Sequence, residues 1–212
     1  MSGTEKYDVA AERWSEEQYA DAAAYLRHRA GLVLALGSAL EPGDTVLDLA
    51  CGDAGLAEPL LAVGLRYVGV DLSGPMVDAA RDRVGTRAEI HEADLNDFVP
   101  PDRAQATTCF RAVYYARDRR AFFRGVASYT EKKLVFDLNP RQYRVEEIRA
   151  DLVAAGFDRL ELRPFFSPQR VALPGPLAKA LRAAEHSGPL ARLALRFRFS
   201  YMAAASRAEP RP

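Results

Sequence analysis

The stretch Thr45-Val-Leu-Asp-Leu-Ala-Cys-Gly-Asp-Ala-Gly-Leu-Ala57, followed by Tyr67-Val-Gly-Val-Asp-Leu-Ser73, constrains the fold more than any other part of the chain. Each half is a short aliphatic, β-branched run that closes on an acidic residue, then turn chemistry, then a helix-like segment. Apolar runs without alternation read as buried parallel strands, here 45–49 and 67–70. A strand, a Gly-containing turn, a helix and a second strand with Asp71 at its carboxyl end make half of a doubly wound sheet. In such sheets the ligand lies outside the carboxyl ends of the strands, and an acid after the second strand accepts from ribose hydroxyls.

The turn decides between ligands. A dinucleotide site places G-x-G-x-x-G directly after its first strand, so that a helix N-terminus receives the pyrophosphate. This chain has Asp48 near the end of that strand, then Ala50-Cys51-Gly52-Asp53-Ala54-Gly55. A carboxylate there repels a pyrophosphate and suits an ammonium or sulfonium centre. S-adenosylmethionine carries both, with a ribose and an adenine and no phosphate.

On these residues the chain resembles the class I S-adenosylmethionine-dependent methyltransferases, in particular the small-molecule group with a Leu-Asp-Leu-Ala-Cys-Gly type loop. Asp48 matches the family's acid and Gly52 its central glycine. Ala50 and Ala54 stand where family members often carry Gly, so the Ala54 methyl is expected where backbone approaches the methionine portion of the cofactor. The resemblance implies an α/β, Rossmann-like, doubly wound sheet of seven strands with an antiparallel last strand. It also implies cofactor contacts from Asp48, Ala50, Cys51, Gly52, Asp71, Leu72, Met76, Asp94, Leu95, Phe110 and Arg111. Among these, Asp94 would accept the adenine amino group, with a neighbouring backbone N–H from Leu95 on a ring nitrogen.

Composition narrows the acceptor. Lys+Arg and Asp+Glu each total 29, giving no net charge, whereas proteins acting on nucleic acid present an excess of basic residues. A small molecule is therefore expected in preference to nucleic acid. No apolar run is long enough to span a bilayer and no signal-peptide core precedes residue 10, so a cytoplasmic protein is expected. Two cysteines, Cys51 and Cys109, and scattered His28, His91 and His186 suggest neither a disulfide framework nor a protein-bound metal.

Along the chain, 11–40 reads as an N-terminal helical cover, and 55–63 and 74–84 as helices, the latter capped by Ser73 with Pro75 in its first turn. Strands are expected at 87–91, 106–110, 133–138 and from 157, with a helix at 144–155 stopped by Gly156. The period-two run 195–202 reads as the antiparallel last strand, and 203–212 as a frayed tail. One domain is expected: cover 1–42, sheet core 44–163 and 194–203, and a Pro-rich, lid-like insertion 164–193.

Methyl transfer needs the acceptor held close and in line with the methyl group, so an obvious catalytic triad is not required. Arg111, Tyr114 and Tyr115, just past the fourth strand, are the catalytic candidates. Ordinary tyrosines are poor bases, which favours an orienting role, and Arg111 would alternatively anchor a carboxylate or phosphate of the acceptor. Tyr7, Trp14, Tyr19, Tyr115, Phe165 and Phe166 are the acceptor-binding candidates and point to an apolar or aromatic molecule. The rival readings are a non-catalytic S-adenosylmethionine-binding protein, a nucleic-acid methyltransferase and a nicotinamide-dependent oxidoreductase.

Overall fold

The computed structural model of the chain describes residues 18–166, 174–186, 188–194 and 200–207. Seven strands, β1 (Thr45–Leu49), β2 (Arg66–Asp71), β3 (Glu89–Glu92), β4 (Ala104–Cys109), β5 (Thr130–Leu138), β6 (Arg159–Pro164) and β7 (Tyr201–Ser206), form one sheet in the order β3-β2-β1-β4-β5-β7-β6. The pairs from β3 through β5 are parallel, while β7 runs antiparallel between β5 and β6. The order reverses at β1 and β4, which opens a crevice at their carboxyl ends.

Helices cover both faces. α1 (Ala22–Ala35), α2 (Ala57–Leu61) and α3 (Gly74–Val84) pack on one side; α4 (Arg119–Tyr129) and α5 (Val145–Ala155) pack on the other. The reason is periodicity: Met76, Val77, Ala80 and Val84 make one buried stripe on α3, and Phe122, Phe123, Val126 and Ala127 make one on α4. Ser73 Oγ caps α3 by accepting from Met76 N, with Pro75 in the first turn. Gly156 ends α5 in the left-handed conformation, φ 98°.

Two expectations are corrected. The helical reading of 11–40 is interrupted: α1 begins after Asp21, whose carboxylate accepts from Ala24 N, and Leu36 is already extended, while residues 11–17 lie outside the described residues. The last strand is Tyr201–Ser206 rather than 195–202, of which 195–199 lie outside the described residues. The supposed tail thus begins with the most enclosed strand of the sheet, for Ala203, Ala204 and Ala205 are fully buried. A strand covered on both faces and paired on both edges has no polar alternation, so the period-two signal upstream misleads.

The insertion after β6 carries two helices, α6 (Gly175–His186) and α7 (Gly188–Ala194). Glu185 of α6 is buried, accepts from Phe166 N at 2.6 Å and lies 2.8 Å from His28 Nε2 of α1. It joins the insertion to the first helix.

Candidate functional site

The carboxyl ends of β1, β2 and β4 open into a cavity of about 650 Å³, within the range of small-molecule sites. Asp48, Ala50, Cys51, Gly52, Asp71, Leu72, Met76, Asp94, Leu95, Phe110 and Arg111 all line it, as do Tyr19, Tyr114 and Tyr115. Phe165 and Phe166 are not among its lining residues. Phe165 instead packs on Tyr25 and His28, behind the wall that α1 presents to the cavity. Tyr7 and Trp14 lie outside the described residues.

The loop after β1 is built around Asp71. Its Oδ2 accepts from Gly52 N at 2.8 Å and its Oδ1 from Ser73 N at 3.0 Å, so one carboxylate ties the first loop to the start of α3. Gly52 takes φ 58°, and Ala50 and Ala54 adopt the same left-handed region at φ 58° and 51°. The Ala54 methyl is fully buried in the apolar core with Leu56 and Leu60, and Ala54 is not a lining residue. The expected methyl on the ligand side is therefore absent. Gly69 of β2 leaves room for this loop: a Cβ there would stand 2.9 Å from Cys51 Sγ and 2.8 Å from Ile90 Cδ1.

Asp48 sits at the cavity floor, 3% exposed, with Oδ2 accepting from the Tyr67 hydroxyl at 2.7 Å and Oδ1 from Thr108 at 2.6 Å. Burial pushes its carboxyl up to about 6, although Thr108, Tyr67 and the charge of Arg29 act the other way. Burial, and then the charges of Asp48, Asp71 and Asp53, raise the Cys51 thiol well above its ordinary range. Cys51 is a neutral filler and not a nucleophile.

At the end of β3, Asp94 accepts from Asn96 N and Nδ2 through Oδ1 and from Arg117 through Oδ2. Desolvation would raise its pKa, but these partners hold it below the usual carboxylate value. Asn96 also donates to Tyr115 O and accepts from Arg117 N, which fixes the 114–117 segment beside β3. The rings of Tyr114 and Tyr115 lie 4.4 Å apart, and both are partly exposed at the rim.

Several functional residues escaped sequence reasoning. Arg29 lines the cavity although 6% exposed; its guanidinium lies 4.8 Å from the Tyr25 ring centre and 4.5 Å from that of Phe110, and donates to the Tyr25 hydroxyl. Its Nε is buried without a hydrogen-bond partner. The available signal was the Tyr25–Arg29 spacing of four, which aligns both on one helical face. Asp53, also buried, is clamped by Arg83, which donates to both its carbonyl and its carboxylate at 2.7 Å. Thr108, a hydroxyl inside an apolar strand, was a legible hint of a buried polar partner.

Among the described residues no group of three His, Cys, Asp or Glu side chains is placed to hold a metal ion, and no helix is long and apolar enough to cross a membrane.

A sheet of this order with an acid-lined cavity at its switch point defines a nucleotide-type ligand site on a Rossmann-like fold. A family model described as a methyltransferase domain matches residues 46–133, from β1 into β5. That segment carries the loop after β1, Asp71 and Asp94. No curated protein sequence matches it. Among solved structures it is similar to a methyltransferase in complex with the Haloferax volcanii Trm112 methyltransferase activator, at 20% identity and TM-score 0.69 over 99% of this chain and 97% of that one. A TehB-like S-adenosylmethionine-dependent methyltransferase from Corynebacterium glutamicum aligns at 15% identity and TM-score 0.64, covering 96% and 98%. Magnesium protoporphyrin IX methyltransferase from Synechocystis, with bound S-adenosylmethionine, aligns at 18% and 0.56, covering 98% and 85%.

Proposed function

We propose that the chain is an S-adenosylmethionine-dependent methyltransferase acting on a small, apolar or aromatic acceptor held against Tyr19, Phe110, Tyr114 and Tyr115. The observation that carries this reading is the mixed lining of the cavity at the carboxyl ends of β1, β2 and β4. The acids Asp48, Asp71 and Asp94 and the aromatic rings of Tyr19, Phe110, Tyr114 and Tyr115 line the same cavity. When bound, S-adenosylmethionine supplies an electrophilic methyl group and a thioether leaving group.

The donor set fits that molecule. Asp71 ties two backbone donors together at the end of β2, the position from which an acid accepts from ribose hydroxyls. Leu72, 53% exposed beside it, and Leu95 line the cavity and supply apolar cover for adenine. Arg29, with its buried orphan Nε, receives the methionine carboxylate. Asp48 favours the cationic end from below without giving up either of its hydroxyl partners. Asp94 serves mainly to fix the 114–117 segment, and it reaches adenine only through what remains of its acceptor capacity.

Acceptor positioning falls to Tyr114 and to Tyr115, whose carbonyl accepts from Asn96. Their task is to keep the nucleophilic atom in line with the methyl group, which can account for several kcal/mol of the barrier. The test is incubation of purified protein and radiolabelled S-adenosylmethionine with host extract split into low-mass, RNA and protein fractions. Label is expected in an organic-extractable, low-mass product. Transfer confined to RNA or protein refutes the small-molecule reading.

A further inference from the structure

Three arginines line the cavity, and their surroundings differ: Arg117 is paired with Asp94 and Asp97. Arg29 is buried between the Tyr25 and Phe110 rings, and the carboxylates of Asp137 and Asp48 are among the charges acting on it. Arg111 is half-buried; burial opposes its charge, and Tyr19, Tyr114 and Tyr25 outweigh that opposition, with a side-chain hydrogen bond to Tyr19. Tyrosine hydroxyls steady a guanidinium without cancelling its positive charge.

The backbone of Arg111 adds a second observation. It sits at φ 56°, a conformation that costs a long side chain roughly 1–2 kcal/mol. That conformation is sustained because Arg111 N donates to Asp137 Oδ1 at 2.6 Å. Strain of this kind persists where the surroundings over-determine it and gathers at ligand sites. Here it sets a planar, five-donor cation at the cavity wall next to the paired rings of Tyr114 and Tyr115.

We infer that Arg111 is a specificity determinant that receives an anionic group, a carboxylate or phosphate, on an aromatic acceptor. This rests on the reading above, in which Arg29 takes the carboxylate of the cofactor. Arg111 then selects for acceptors that carry their own negative charge, and the tyrosine pair selects for the ring attached to it. A bidentate guanidinium contact also fixes the acceptor's rotation, which in-line transfer requires.

Calorimetry on protein saturated with S-adenosylhomocysteine tests this directly. The probes are para-hydroxybenzoate, para-hydroxycinnamate and phenyl phosphate, each against its neutral counterpart: the two amides and phenyl methyl ether. In the unaltered protein at least one anion is expected to bind about tenfold tighter than its neutral partner, the lower end for a charge-assisted hydrogen bond. Which anion does so separates a carboxylate from a phosphate. Arg111→Gln should erase the preference, Arg111→Lys should keep part of it, and both should bind S-adenosylhomocysteine within about threefold of the parent. Equal binding of acids and neutral partners overturns the inference, with no variant needed. So does a preference that survives Arg111→Gln. A tenfold or larger loss of S-adenosylhomocysteine affinity in Arg111→Gln assigns the residue to the cofactor instead and also overturns it. Failure of the parent protein to bind S-adenosylhomocysteine at all is a different result, which removes the cofactor reading itself.

Discussion

Asp71 is the side chain on which the loop after β1, the start of α3 and the proposed ribose contact all converge. Asp71→Ala deletes the acceptor of Gly52 N and of Ser73 N together with the two contacts proposed for the ribose hydroxyls. Hydrogen bonds to a charged group contribute about 1.5–3 kcal/mol each, so losing two weakens S-adenosylhomocysteine binding by roughly 150- to 25,000-fold. The stability cost is smaller. Asp71 is only half-buried, so water replaces it on the two backbone donors, and melting falls by a few degrees. Asp71→Asn should be intermediate, because its amide keeps one acceptor oxygen but turns an N–H toward the other backbone donor. The assay is calorimetric titration with S-adenosylhomocysteine, paired with adenosine and its dideoxy counterpart. The parent protein should discriminate the two nucleosides and Asp71→Ala should not. A folded Asp71→Ala protein that binds S-adenosylhomocysteine within threefold of the parent refutes the ribose assignment.

Three further outcomes follow from the geometry around that carboxylate. Asp48 titrates near 6 when folded against an ordinary 3.8; because the folded state binds the extra proton, its contribution to stability is present below about pH 4 and is lost as pH rises to 6. Holding it ionised therefore costs on the order of 3 kcal/mol at neutral pH, and the melting advantage of Asp48→Asn over the parent should grow between pH 4 and 7 while cofactor affinity falls. Gly69→Ala forces a methyl against Ile90 Cδ1 and Cys51 Sγ; urea unfolding should show a loss of about 1–3 kcal/mol, partly restored in the triple variant with Ile90→Val and Cys51→Ala. Arg83→Met removes the cationic partner of the buried Asp53 carboxylate and should cost about 3 kcal/mol, whereas adding Asp53→Asn should recover much of it.

The parts of this architecture that were legible in the sequence are those set by local pattern. The apolar runs ending at Asp48 and Asp71, the capped helix after Ser73 and the Gly156 stop each depend on residues within one turn or one strand, and each lies where expected. What the pattern missed depends on packing between distant segments. Arg29 reads as one more helical cation until α1 is laid over Phe110, eighty-one positions away in sequence. Tyr67 and Thr108 acquire meaning only when β1 comes between β2 and β4 and both hydroxyls turn to Asp48. Phe165 carried an aromatic signal that is real, but its ring packs behind the cavity wall and not in it. The alanines of β7 gave no periodic signal because a strand enclosed on both faces has none to give.

The described non-glycine residues with left-handed backbone are Ala50, Ala54 and Arg111, which follow β1 and β4, the two strands that flank the reversal of strand order. At roughly 1–2 kcal/mol each, glycine at these positions would have been the easier choice sterically. Cross-links hold the loops in place instead: Cys51 N donates to Val70 O, Asp71 accepts from Gly52, Arg83 grips Asp53, and Asp137 accepts from Arg111 N. The three side chains retained at this cost go to three different destinations. The Ala54 methyl fills core between β1 and α2, Ala50 forms part of the cavity wall, and Arg111 brings a cation to the same cavity. Departures from the glycine pattern thus mark where this chain exchanges backbone ease for a side chain. Arg111 alone among the three gains charge by that exchange, and that charge lines the same cavity as Tyr19, Tyr114 and Tyr115, against which the acceptor is proposed to sit.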